Sequence, residues 1–388
     1  MEKRYAAGSE LAAIVAAVEA RMAWMLVRLQ KLVEIESPSG DKAAVDAAVD
    51  VLAVWCDALG GRVKRHRQKE YGDLLEVSFG PTGVAQKPVM LLGHLDTVWA
   101  LGTLAKMPWR EDKKKIYGPG VYDMKSGVMM ALTAIAALQD LNALQAPVVL
   151  LLVSEEEIGS PVSRPVTERI ARECRAAFVM EPAQGLQGAY KTARKGIADY
   201  RLHVRGVAAH SGVDFEKGHS AVLELMRLLA KVEKFTDRKS GLTVNPGVIG
   251  GGTRSNVIAA EAWADVDVRL AKASDARRVE KMFRELQCRD KHCVLTVTGG
   301  MNRPPMERKN GTIALFKRAR RIALEMGLKL EEAATGGGSD GNFTASVGTS
   351  TLDGMGPVGE GAHAAHESVI KDSLVERTAL LAAMIGGL

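Results

Sequence analysis

At 388 residues, 47% hydrophobic and 25% charged, the chain has the composition of a globular protein with room for two or three folding units, which excludes a disordered or fibrous polymer. Its 52 basic and 46 acidic side chains leave a net charge of +6 with the basic residues dispersed, so no nucleic-acid-binding face is expected. The positive excess instead suits an anionic small-molecule substrate, whose local concentration such a field raises.

Leu11, Ile14, Val15, Val18, Met22, Met25, Leu29 and Leu32 recur at three- and four-residue steps, which predicts one amphipathic helix. Acidic Glu10 and Glu19 flank its apolar stretch and no cleavage site follows, so it is not read as a secretory signal. No segment is read as a bilayer-spanning helix. Cys56, Cys174, Cys288 and Cys293 are too few and scattered for a disulfide framework, and a cytoplasmic location is expected.

Three short apolar runs, residues 88–92, 148–153 and 176–180, suit strands buried on both faces of a parallel sheet. Helices predicted over 124–141 and 164–175 alternate with them, giving an α/β fold. From 192 to 302 the rhythm changes. A strand (193–205), a helix (218–233), two strands (242–249, 262–270), a helix (274–286) and a strand (293–297) follow the β-α-β-β-α-β order of a ferredoxin-like α+β domain. In 262–270, Ala264, Val266, Val268 and Leu270 alternate with Trp263, Asp265, Asp267 and Arg269, so one sheet face is buried. A helix over 312–326, a glycine-rich loop at 336–340 and a helix over 374–385 complete the chain. The predicted architecture is a mixed, mostly parallel sheet flanked by helices, built from 1–191 plus 303–388, with an inserted unit over 192–302.

The buried runs lead into Gly93-His94-Leu95-Asp96, Ser154-Glu155-Glu156-Glu157 and Glu181-Pro182. Ligands of open α/β sheets bind at the carboxyl ends of the strands, so three segments point to one place. His94 and Asp96 leave their strand on one face, where the aspartate can orient the imidazole or itself bind a metal; a hydrogen-bonded core histidine is the alternative. Asp123, which closes the glycine-rich stretch 117–123, can be a helix N-cap or a bridge between two metal ions. Three consecutive glutamates repel one another unless cations or protonation relieve them, or they form a solvated loop. Of an adjacent pair, one can ligate a metal while the other takes a proton from water. Glu181 alone is ambiguous, and His363 and His366 are both candidate ligands. Cys288, His292 and Cys293 form half of a zinc pattern without the other half and are read as structural.

Taken in order, Gly93-His94-Leu95-Asp96-Thr97-Val98, Gly118-Pro119-Gly120 with Asp123-Met124-Lys125, Glu155 to Ser160, Met180-Glu181-Pro182, Arg194-Lys195-Gly196, Ala209-His210-Ser211-Gly212 and Gly361-Ala362-His363 with Glu367 resemble the di-zinc exopeptidase family. That family contains bacterial glutamate carboxypeptidase, aminoacylase, acetylornithine deacetylase and succinyl-diaminopimelate desuccinylase, and the glutamate carboxypeptidase pattern is the nearest. The resemblance implies a zinc-peptidase-like catalytic domain with an inserted lid and dimerisation domain, and two zinc ions per chain, for which cobalt or manganese could substitute. It implies that Asp123 bridges the ions, that His94 and Glu181 complete one site and that Glu157 and His363 complete the other. Glu156 is then the general base, Asp96 orients His94, and the 123–124 peptide is cis. In the inserted domain His210 would reach across a homodimer to polarise the substrate carbonyl and Asn256 would add a polar contact. Arg303 would grip the substrate carboxylate by a two-point contact, with the backbone of Gly337, Gly338 and Ser339 nearby. The chain departs from the pattern at His366, where the family has an acid, and at Glu155, where the nearest subgroup has aspartate.

The implied activity is hydrolysis of the C-terminal amide of an N-acyl or peptidyl amino acid, with release of glutamate or another acidic residue. An aminoacylase- or deacetylase-type enzyme with a different leaving group, and a silent dimeric binding protein on the same scaffold, are the alternatives. Expected partners are a small-molecule substrate and a second copy, without nucleic acid or membrane.

Overall fold

The computed structural model describes residues 9–387. They form two compact units: one runs to Ala193 and resumes over Arg308–Ala334 and from Ser339, the other comprises Arg194–Glu307 with Thr335–Gly338.

The first unit is built on a six-stranded sheet in the order Arg62–His66, Leu74–Phe79, Val148–Val153, Val89–His94, Ala176–Val179, Thr351–Leu352. The last four strands are mutually parallel and the first two are antiparallel additions. Val89 to His94 are all buried because both sheet faces are covered. Val89 and Leu91 join the core formed with helices Glu10–Glu34, Ser126–Asp140 and Lys371–Gly386, while Met90 and Leu92 pack with Ile170 and Ala171 of Arg164–Glu173. The first helix is capped by the Ser9 side chain, which accepts from the Ala12 N–H, and buries Ile14, Val15, Val18, Met25, Leu29 and Leu32, the face its periodicity predicts. Arg62–His66 carries no apolar signal and Leu74–Phe79 carries a short alternation, Leu75, Val77 and Phe79; both are additions to the elements read from sequence. Val121–Asp140 is long and apolar enough to span a bilayer by length and composition, but its apolar window is 94% buried, as in the core helix of a globular fold.

The second unit is a four-stranded antiparallel sheet in the order Thr243–Gly251, Glu261–Leu270, Gly196–Arg205, Val294–Arg303. Helices Ala221–Val232 and Ser274–Arg284 contribute Leu225, Leu228, Val279 and Phe283 to the core on Ala264, Val266 and Val268. This is the ferredoxin-like arrangement. Its last strand extends past residue 297: pairing continues through Met301, and after a register shift between Met301 and Arg303 the latter pairs with Ile197. Arg303, Gly337 and Gly338 therefore belong to this unit and not, as the expected boundary implied, to the first. His292 stacks on His219 with ring centroids 4.2 Å apart, and Asp290 accepts from His219 Nδ1 and from the His292 N–H. All four cysteines are free, with Cys56, Cys174 and Cys293 buried.

Candidate metal-binding active site

His94 is the last residue of its strand and pairs with Val153, so the glutamate run begins beside it on one flank. On the other flank the Met180 N–H donates to Leu92 O at 2.9 Å, which brings Glu181 alongside. His94 is 1% exposed. Its Nδ1 lies 2.9 Å from the Asp96 carbonyl oxygen, an atom that can only accept, so Nδ1 carries the hydrogen and Nε2 is left facing the acids. Nε2 is 3.3 Å from Asp123 Oδ1 and 3.7 Å from Glu181 Oε1.

Asp123 sits on an irregular turn, Val121–Lys125, that feeds the helix Ser126–Asp140, and the Asp123–Met124 peptide is cis. It is not that helix's N-cap, because Lys125 precedes the first helical residue and no side chain caps it. Its second oxygen, Oδ2, lies 3.6 Å from His363 Nε2, which in turn is 3.2 Å from Glu157 Oε2. The two oxygens of Asp123 thus face two different histidine–glutamate pairs. Donors bound to one tetrahedral ion at ~2.0–2.2 Å sit about 3.3–3.6 Å apart, close to the 3.2–3.7 Å separations found here. Glu157 Oε1 is buried without a hydrogen-bond partner, as an unsatisfied ligand atom would be. The donor set therefore fits a pair of divalent ions.

The electrostatics agree. Burial works against a charge on Asp123, but His363 and His94 hold its carboxyl far below the usual range. Asp123 and Glu157 push His363 up to about 10, and at buried His94 the desolvation cost is outweighed by Asp123 and Asp96, which raise its pKa. The pocket of acids demands positive charge at both histidines, and a metal ion meets that demand as well as a proton does. His363 holds a positive φ of 61°. His363 and His366 are both exposed, but it is His363 whose Nε2 faces Asp123 and Glu157, while the His366 ring lies against Gly361.

The three glutamates divide. Glu155 is fully buried and accepts from the N–H groups of Val162 and Ser163, and burial raises its pKa. Glu156 places a carboxylate oxygen within 4.8 Å of ligand atoms of His94 and Glu181. Asp96 touches His94 through its side chain as well, Oδ1 lying 3.4 Å from His94 Nδ1, and it also serves the glutamate turn. Its carbonyl orients His94, while its carboxylate accepts the N–H groups of Glu156 and Glu157, both at 3.1 Å, and the Ser39 hydroxyl at 2.6 Å. Lys125 is buried, donates to Ile35 O at 2.7 Å and is pushed down to about 7 by burial.

Sequence reasoning named Glu367 only as a motif marker. Its carboxylate, 1% exposed, accepts from the N–H groups of Gly120, Tyr122 and Asp123 at 2.9, 2.9 and 3.0 Å and from Trp99 Nε1 at 2.8 Å. A buried acid four residues after His363 was the available signal.

In the second unit His210 and Asn256 are both exposed and come together, the Ser211 N–H donating to Asn256 O at 3.0 Å. Arg303 is 3% exposed and its Cδ would lie 2.8 Å from a Cβ at Gly338, so a side chain there has no room. Arg194 donates to the carbonyls of Gly337 and Gly338. Ser339 needs correcting as a backbone anion donor. It belongs to the first unit, its N–H donates to Asn342 Oδ1 and its hydroxyl to Asp353 Oδ2, both buried.

Fold and donor cluster together define a metal-dependent hydrolase of α/β type. The chain belongs to peptidase family M20/M25/M40, whose sequence profile matches residues 90–386. It is 28% identical to carboxypeptidase G2 of Pseudomonas sp. (strain RS-16) over 365 residues, 92% of this chain and 87% of that one. Its fold matches that of aminopeptidase PepT from Bacillus cereus with a TM-score of 0.77 at 22% identity, covering 93% of this chain and 97% of that one. The M20 family metallo-carboxypeptidase Sso-CP2 from Sulfolobus solfataricus gives 0.74 at 16% identity, covering 94% and 99%.

Proposed function

We propose that the chain is a dinuclear metallo-carboxypeptidase that cleaves the C-terminal amide of an N-acyl or peptidyl amino acid and releases glutamate or another acidic residue. The observation that carries the reading is the two-sided Asp123, one oxygen facing His94 and Glu181, the other facing His363 and Glu157. The similarity to carboxypeptidase G2 across nearly the whole chain supports the choice of a carboxypeptidase, and the net charge of +6 suits an anionic substrate.

Asp123 would be shared between the ions, with His94 and Glu181 completing one set and Glu157 and His363 the other. Zinc is the first candidate, with cobalt or manganese acceptable to the same donors. When bound, such a pair supplies Lewis acidity and a more acidic water. Glu156 accepts the proton of the attacking water and delivers it to the leaving amine. Asp96 holds Glu156 and Glu157 at their N–H groups, which keeps base and ligand on their separate tasks.

The second unit is read as the lid and dimerisation domain, with His210 and Asn256 contributing to the substrate across a homodimer and Arg303 taking the substrate carboxylate. Its edge strand Thr243–Gly251 exposes Val248 and Ile249 at 52% and 60%, which supports a face that a second copy could cover. Four free cysteines support a reducing cytoplasm.

The test is metal content per chain together with release of free amino acid from N-acyl-glutamate and N-acyl-alanine, with and without a chelator. Two ions and chelator-sensitive glutamate release are expected. Preferred release of alanine would shift the reading to an aminoacylase-type enzyme, and two ions without turnover of a wide substrate panel would favour a silent binding protein.

A further inference from the structure

We propose that Glu367 is a positioning residue whose single carboxylate fixes three of the five metal-ligand-bearing segments, those of His94, Asp123 and His363, relative to one another; the inference rests on the dinuclear reading above. Oε2 accepts from the Trp99 indole N–H, five residues after His94, and from the Gly120 N–H. Oε1 accepts from the N–H groups of Tyr122 and of Asp123 itself. Four residues upstream on its own segment stands His363. The intervening turn is tight: the Glu367 N–H donates to Ala364 O at 2.9 Å and the Ala364 N–H to Gly361 O at 2.8 Å. Gly361, at φ 80°, closes that turn, and a Cβ there would approach Glu367 Cα and N to 3.0 Å.

A buried carboxylate satisfied by four donors from two remote segments is a hub rather than a surface ion. Charge-assisted bonds to backbone N–H groups are the stronger kind, and three of the four lie on the turn that presents Asp123. Both Asp123 oxygens remain directed at the histidines because its backbone is anchored from behind. The distance between the His94 and His363 sides is thus set by a residue that touches neither.

Glu367→Gln is the informative change. Its amide nitrogen cannot accept, so the donors served by one of the two oxygens lose their acceptor in a nearly isosteric side chain. Partners that hold metal ligands typically alter metal affinity or activity 10–100-fold when replaced, and that range is expected for the affinity of Glu367→Gln in competition with a chelator. We expect kcat to fall, KM for an N-acyl amino acid to stay near the wild-type value, and the tryptophan emission of the metal-free protein to shift, a shift that is absent when Trp99 is replaced by Phe. Glu367→Asp, which keeps the charge but retracts it, should recover part of the affinity. Unchanged metal affinity in folded Glu367→Gln overturns the inference. If Glu367→Gln does not fold by circular dichroism, Trp99→Phe removes one donor at a half-buried site, and metal affinity equal to wild type in that variant overturns it too. A wild-type chain that binds no metal ions would instead defeat the dinuclear reading, so the two failures are distinct.

Discussion

The backbone N–H of Glu156 donates to Asp96 Oδ1 at 3.1 Å, so the residue read as the base is held by the residue that also orients His94 through its carbonyl. Replacing Asp96 with Ala leaves two turn N–H groups and the Ser39 hydroxyl without their acceptor while the carbonyl contact to His94 survives. We expect a ~10–100-fold loss of kcat/KM. Steady-state kinetics at saturating metal check this, and wild-type activity in Asp96→Ala would contradict the role.

Glu156→Gln removes the proton acceptor without disturbing its backbone anchor. Turnover should fall by about 10²–10⁴, while two ions per chain are retained in elemental analysis. Robust hydrolysis by this variant would remove Glu156 from the mechanism.

Gly127, second residue of the helix Ser126–Asp140 behind Asp123, faces the strand end that carries Glu181. A Cβ at Gly127 would stand 2.0 Å from the Met180 carbonyl oxygen, a backbone atom that cannot step aside alone. Gly127→Ala should cost about 1–3 kcal/mol by overpacking and should weaken metal binding by pushing Glu181 away from His94. Urea unfolding and chelator competition measure the two effects, and an unperturbed pair of values would show that helix and strand separate without consequence.

Asp73 offers a pH test away from the metal cluster. It is 1% exposed, and although burial opposes its charge, Lys42 at 2.8 Å, the Gln68 N–H and Arg65 lower its pKa. A depressed folded-state pKa stabilises the protein above the unfolded carboxyl value near ~3.9, and the contribution disappears as pH falls through the folded value. Asp73→Asn should therefore lower stability by about 1.5–3 kcal/mol at neutral pH. The gap to wild type should close in acid. Urea midpoints of both proteins between neutrality and pH 3 check the sign, and a gap independent of pH would refute it.

Much of the site was legible because strongly apolar strands deliver its residues. Val89 to Leu92, Val148 to Val153 and Ala176 to Val179 are buried on both faces, and a polar residue directly after such a run has little alternative to a strand-end site. The edge strand Arg62–His66 was not, since RVKRH has no periodicity to read, and the alternation of Leu75, Val77 and Phe79 beside it is too short to stand out without that partner. Nor could spacing show that Asp96 serves the 156–157 turn or that Glu367 serves the 120–123 turn, because both are contacts between segments remote in sequence. The family resemblance, through the spacing to Glu367, gave His363 over His366, and in the structure His363 Nε2 lies 3.6 Å from Asp123 Oδ2 and 3.2 Å from Glu157 Oε2.

The free cysteines make the protein its own reporter of local opening. Burial raises the Cys56 and Cys174 thiols to about 12 and the Cys293 thiol to about 11, so a thiol reagent at neutral pH finds almost no thiolate while the packing holds. Cys56 and Cys174 belong to the first unit and Cys293 to the second. The rates at which the three acquire a label, resolved by mass spectrometry of peptides, would separate the breathing of the unit that carries the metal ligands from that of the ferredoxin-like unit, without any mutation.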